Sequence, residues 1–126
     1  LISALQLLAV SEAESVDTIL LIHPQVLNEF LDYNDFLDMA DRIVEQQGFF
    51  GEFQIASFHP GYQFADSSPD AIENYTNRAP FPMLHILRES SIERAVEAFP
   101  DAADIYERNI KTMKQLGIDG WRTLFE

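Results

Sequence analysis

VDTILLIHP (residues 16–24) and EFQIASFHP (residues 52–60) decide how this chain is read. Each is a short apolar run that halts at His-Pro. The runs 16–22 and 52–58 have the length and the β-branched or aromatic character of buried strands. The residue before a proline is driven towards extended geometry, and proline is favoured at the first position of a helix. A helix is therefore predicted from Pro24. Val26, Phe30, Tyr33, Leu37, Ala40 and Val44 step by three and four along it, and it should stop at Gln47 before Gly48. Strand, helix and strand make a βαβ unit. The expected fold class is α/β, a βαβ core with parallel strands 16–22 and 52–58 flanked by helices.

Working outward, Leu1, Leu5, Leu8 and Ala9 recur at helical spacing, so residues 1–10 read as a helix. Residues 59–82 hold four of the six prolines and show no steady period, which predicts a long loop. Residues 83–99 read as a helix with Leu84, Leu87, Ile92, Ala95, Val96 and Phe99 on one face. Another helix is predicted through Ile105, Ile110, Met113 and Leu116, closed by Gly117, with a last turn carrying Trp121, Leu124 and Phe125. Two strands make a poor sheet alone. The further strand is expected from a missing N-terminal segment, since the chain opens inside a helix without Met. The 126 residues then read as a single domain, 1–126, the C-terminal portion of a longer single-domain protein.

Composition narrows the function classes. With 21 acidic and 8 basic residues, the net charge of −13 repels phosphate backbones and anionic lipid, so no nucleic-acid or membrane partner is expected. There is no cysteine, hence no disulfide framework and no thiol nucleophile. No apolar run approaches the ~20 residues that span a bilayer. No signal peptide is evident, and a cytoplasmic location is expected. DYNDFLDMAD (32–41) suggests a calcium loop, but Leu37 and Ile43 stand where an EF-hand needs Gly and Glu.

The three histidines are His23, His59 and His85. In a parallel βαβ unit His23 and His59 fall at strand carboxyl ends on one edge, where open α/β sheets bind ligands. A bland reading competes, in which each imidazole hydrogen-bonds a loop. His85, Arg88 and Glu89 would share a helix face. Three separated histidines could also form a metal triad, so a divalent metal is a candidate cofactor. The loop bunches Asn74, Tyr75, Thr76, Asn77 and Arg78. Arg78 is the only fixed positive charge between Arg42 and Arg88, which suits an anion clamp; a surface salt bridge is the competing reading.

LLIHP, FLDYNDFLDMAD, FQIASFHPGYQFA, ENYTNRAPFPMLHILRE and ERNI together resemble the bacterial domain-of-unknown-function 1415 family over nearly the whole chain. Ala79 and Phe81 stand where that family suggests Ser and Tyr. The resemblance implies a soluble bacterial protein, N-terminally truncated by a segment with a Cys-Pro motif, and implies no activity. Its motif positions include Tyr62, Asn77, Arg78, Arg88 and Glu89, which join the candidate ligand-binding residues.

Two readings follow. One is an enzyme or ligand-binding domain for a small anionic metabolite. There His23, His59 and His85 act as acid/base groups or hold a metal, and Arg78 takes the anion. The other is a non-catalytic interaction or structural domain, docking through Trp121, Leu124 and Phe125, with structural histidines.

Overall fold

A computed structural model describes residues 1–99 and 101–126. In chain order it contains helix α1 (Ile2–Val10), strand β1 (Ile19–Ile22), helix α2 (Phe30–Gln46), strand β2 (Phe53–Phe58) and a 3-10 turn (Ile72–Thr76). Strand β3 (Met83–Arg88), helix α3 (Glu89–Ala98) and helix α4 (Ala102–Thr123) complete it. The fold is mixed α/β with a three-stranded antiparallel sheet in the order β1-β3-β2.

The sheet corrects two expectations. The strands at 16–22 and 52–58 exist over Ile19–Ile22 and Phe53–Phe58, but they do not form a parallel pair. Each pairs antiparallel with β3, through Leu20↔His85 and Ala56↔His85, and through Ile22↔Met83 and Phe58↔Met83. The third strand also does not come from an N-terminal segment. It is MLHILR, which the helical spacing of Leu84 and Leu87 had assigned to a helix. Leu84 and Ile86 are buried and alternate with half-buried Met83, His85 and Leu87, the period-2 pattern of a strand. A six-residue apolar run fits either period, and here two strand edges needing a partner decide it. The structural argument for a truncated sheet therefore falls away.

β1 and β2 nevertheless run in the same direction, because both oppose β3. Their carboxyl ends lie on one edge, two strand spacings or about 9.6 Å apart.

One face of the sheet carries the core. Leu5 and Leu8 of α1, Val44 of α2, Phe53 and Ile86 form a buried cluster, with Ile19, Ile43 and Ile55 packed against it. Arg88 ties this layer together. Its Nη2 donates to the carbonyls of Leu8, Ser11 and Val16 at 2.9, 2.8 and 2.8 Å, so two hydrogens serve three acceptors. It brings a cation to the end of α1, whose own last turn has no basic residue. The other face presents Leu20, Ile22, Ala56, Phe58, Met83, His85 and Leu87. Leu20 and Ile22 are 54% and 49% exposed.

α2 begins at Phe30 and not at Pro24. Residues 23–29 form a turn and irregular chain, and Leu27 adopts φ 59°. A left-handed leucine costs about 1–2 kcal/mol and breaks any helix through it.

The 59–82 loop is ordered by its own polar side chains. Buried Asn74 accepts from Phe64 N–H and Ser67 Oγ–H through Oδ1, and donates from Nδ2 to Ser68 O. α4 packs on this loop, with Trp121 edge-on to Tyr75 at 5.1 Å. α4 is kinked at Gly117, where φ is 73°.

Candidate functional site

The carboxyl ends of β1 and β2 deliver His23 and His59 to either side of Tyr33, in the first turns of α2. The Tyr33 ring lies 6.1 Å from the His23 ring and 4.8 Å from the His59 ring, centroid to centroid. Its hydroxyl donates to Met83 O at 2.7 Å and accepts from Phe58 N–H at 3.1 Å, closing the end of the β2–β3 ladder. Burial pushes the Tyr33 phenol up to about 12, so the ring stays a neutral strut.

His59 is 1% exposed and packs against the rings of Phe30 and Tyr33, which also meet each other. A carbonyl only accepts, so its 3.0 Å contact with Leu27 O places the proton on Nε2. Nδ1 then carries the lone pair and accepts Gly61 N–H at 2.9 Å. Both nitrogens are engaged and the ring is neutral. Burial holds it below the ordinary histidine value, only partly offset by contacts with the Leu27 and Asn28 backbone. A side chain at Gly61 would put its Cβ 3.4 Å from the Phe30 Cβ and 3.5 Å from this Nδ1.

His23 differs. Its Nδ1–H donates to Val26 O at 3.2 Å, and its Nε2 is buried with no hydrogen-bond partner. An unpartnered buried acceptor costs roughly 1–3 kcal/mol. Among the described residues Arg88 Nε, a donor, is the other buried side-chain nitrogen without a partner, but only His23 lines the apolar pocket of about 210 Å³ that also takes in Leu1, Leu21, Val26, Leu27, Phe36 and Leu84.

The remaining candidates disperse. His85 faces the outer side of the sheet, opposite to buried Leu84 and Ile86, with Phe58 at 6.3 Å; burial pushes its imidazole down. It does not join the other two. Among the described residues no three His, Cys, Asp or Glu side chains are grouped to hold a metal ion. Arg78 donates from Nε to Tyr62 O at 3.0 Å and from Nη2 to Pro69 O at 2.7 Å, with its guanidinium 4.4 Å from the Tyr75 ring centre. It braces the loop. Asn77 fastens the loop to β2, donating from Nδ2 to Ser57 O while its carbonyl accepts His59 N–H. Tyr62 packs edge-on against Phe30 and Phe64. Arg88 and Glu89 lie at the opposite end of β3 from the His-Pro corners.

Sequence reasoning missed Tyr33 and Leu27 as parts of the site. Tyr33 was legible only as one member of the α2 apolar stripe. Nothing in the sequence marks a leucine for positive φ.

No described helix is long and apolar enough to cross a membrane. No curated protein and no solved structure shows significant similarity to the chain. A family model described as "Protein of unknown function (DUF1415)" matches residues 1–123. With all but three of its residues inside that match, the chain belongs to the DUF1415 family.

Proposed function

We propose that the chain is a small-molecule-binding domain whose site is the apolar pocket beside His23. The observation that carries this reading is an apolar pocket lined by His23, whose Nε2 is buried without a hydrogen-bond partner beneath its surface. His59 has no free ring nitrogen to offer to a proton or a metal. Arg78 is held by two carbonyls and Tyr75. The reading therefore shifts from an anionic metabolite to an uncharged one. A cavity of about 150 Å³ lined by Leu, Ile and Phe accepts benzene. That cavity is enclosed; the pocket of about 210 Å³ is open to solvent on one side, has room for a single ring, and needs a small turn of the imidazole to bring Nε2 to an O–H or N–H donor.

Titration of the isotope-labelled protein with phenol and with toluene tests this. Phenol should shift the methyl resonances of Leu21, Leu27 and Leu84. His23→Phe keeps the ring and removes the acceptor. It should weaken phenol roughly 5- to 10-fold, the worth of one net hydrogen bond, and leave toluene unchanged. Absence of binding by either probe at millimolar concentration contradicts the pocket reading.

A second reading, an interaction domain, is favoured by the half-exposed outer face of the sheet at Leu20 and Ile22. The route through Trp121 is weaker, because that ring packs on Tyr75 and Phe125 within the chain.

A further inference from the structure

The two edges of the sheet are finished differently. β3 lies in the middle, so β1 and β2 each turn one row of backbone groups away from it. In an antiparallel pair, alternate residues bond to the neighbouring strand and the others point outwards. His23 N–H donates to Pro82 O, and Glu89 N–H donates to Glu52 O; these two bonds fix the alternation along the registers. On β1, Ile19 and Leu21 face β3 while Leu20 and Ile22 face out. On β2 the outward residues are Phe53, Ile55 and Ser57. The chain itself meets most of the β2 edge. Phe53 N–H donates to Phe49 O, Ser57 O accepts Asn77 Nδ2, and just beyond the strand His59 N–H donates to Asn77 O. At the β1 edge, among the described residues, nothing meets the outward N–H and C=O groups of Leu20 and Ile22.

Exposed edges are usually blunted by charge, proline, a bulge or a covering loop. From Thr18 to Ile22 there is no charged residue and no proline, and the register with β3 is unbroken. Only the shortness of β1 limits what pairing can gain, so side chains must add to it. Leu20 and Ile22 are about half exposed on the outer face. On the core side, α1 packs against β1, has no charged residue, and leaves Ile2, Leu7 and Val10 exposed. A helix that is apolar on every side is ordinarily covered on more than one.

Charge indicates the partner. The chain carries −13, yet residues 1–11 and 18–28 contain no Asp, Glu, Lys or Arg. Two copies repel each other over an acidic surface, and the β1 edge is where they can meet without setting like charges together. The edge is also self-complementary. A two-fold axis through Leu21 sets Leu20 of each copy opposite Ile22 of the other. Outward donors then meet outward acceptors, and aliphatic side chains meet aliphatic ones.

We propose that two copies of this chain pair antiparallel through β1, forming one six-stranded sheet in the order β2-β3-β1-β1-β3-β2. Leu20 and Ile22 do not line the pocket beside His23, so the pairing stands or falls apart from the pocket reading.

Sedimentation of the parent protein at about 50 µM, where a dimer with a Kd of ~10 µM is mostly formed, should give twice the 14.4 kDa of one chain. Leu20→Lys and Ile22→Lys each put an ammonium on the outer face, where a monomer tolerates it. Each should raise the Kd roughly tenfold or more by breaking apolar cross-strand pairs, although each lowers the net repulsion between chains. Leu31→Lys adds the same charge on α2, at a residue 76% exposed, and should not raise the Kd. The chain has no cysteine, so mixtures of single-thiol variants report the register. Hydrogen-bonded residues across an antiparallel pair lie about 5.5 Å apart at Cα, within disulfide reach. Oxidation of Leu20→Cys mixed with Ile22→Cys should join the two variants to each other in preference to either with itself.

A parent that sediments as a single chain at that concentration overturns the proposal and leaves the edge to a strand of another protein. A dimer whose Kd neither edge lysine raises, or that Leu31→Lys loosens equally, overturns it too, because another face then holds the copies together. If the lysine variants fail to fold, the thiol mixture decides: no preference for the mixed pair overturns antiparallel pairing through β1.

Discussion

The two His-Pro corners share a local sequence and a place at the same edge of the sheet, yet their imidazoles do opposite things. At the β2 corner His59 is buried, hydrogen-bonded through both nitrogens and packed against two aromatic rings. At the β1 corner His23 makes one longer bond and leaves a buried nitrogen without a partner. The difference comes from the next residues. Gly61 can bring its N–H back onto His59. The chain after His23 turns through Pro24 and Gln25 and supplies only a carbonyl. A repeated dipeptide fixed where the side chains sit; the following turn decided whether each became a strut or was left available.

The comparison breaks most readily in stability. His59→Ala leaves Leu27 O and Gly61 N–H without partners and opens a gap beside Phe30 and Tyr33. It should cost about 3–4 kcal/mol in denaturant unfolding. His23→Ala should cost under about 1 kcal/mol, since the lost bond is offset by removing an unsatisfied nitrogen. Similar losses at the two sites would erase the distinction.

Tyr33→Phe comes next. It strips a donor from Met83 O and an acceptor from Phe58 N–H while keeping the ring between the histidines. The expected loss is about 2 kcal/mol, and comparison of the two melts measures it.

The pH dependence sharpens the same contrast. His59 and His85 are held below their ordinary value of 6.5 by burial. Their contribution is complete above pH 6.5. As pH falls from 6.5 through the lower folded-state values, the unfolded chain binds protons that the folded chain refuses, and stability is lost. The charged or titratable neighbours of His59 are Glu29, which favours its protonation, His23, which opposes it, and the ring of Tyr33. His59→Gln should flatten part of this acid limb, as read from unfolding free energy between pH 7.5 and 5. At the alkaline end Tyr33, pushed up to about 12, favours the folded state below pH 10; that share is lost as pH rises towards 12.

A small effect is also expected at Arg78. Arg78→Lys keeps the charge and loses the fork that joins Tyr62 O to Pro69 O, which should cost about 1 kcal/mol. It should leave phenol binding unchanged. Binding of inorganic phosphate that this variant weakens without a change in stability would restore the anion clamp.

Much of this was legible in the sequence, and its limits have physical causes. β1, β2 and α1 followed from apolar runs and prolines, which act locally; the shared edge of His23 and His59 was expected from a parallel pairing that does not exist, and arises because both strands oppose β3. β3 did not, because Met83–Arg88 satisfies a helical and a strand period alike and only its two neighbours settle the choice. The start of α2 was misplaced for a related reason. Pro24 permits a helix, but Leu27 is held out of one by His59, 32 positions away. The role of Arg78 was hidden because a guanidinium that binds backbone carbonyls leaves no complementary acid in the sequence. His85 was drawn towards the site by the assumption of a helix; on a strand, its neighbours Leu84 and Ile86 send it to the other face.

Long-range nitrogen–proton correlation spectra of the three imidazoles, recorded near neutral pH, test the contrast most directly. The expected result is opposite tautomers at the two corners: His59 protonated on Nε2 with a bare Nδ1, and His23 protonated on Nδ1 with a bare Nε2. A His23 ring protonated on Nε2 alone, or a His59 ring titrating freely near pH 6.5, would contradict the assignment of one histidine as strut and the other as available acceptor.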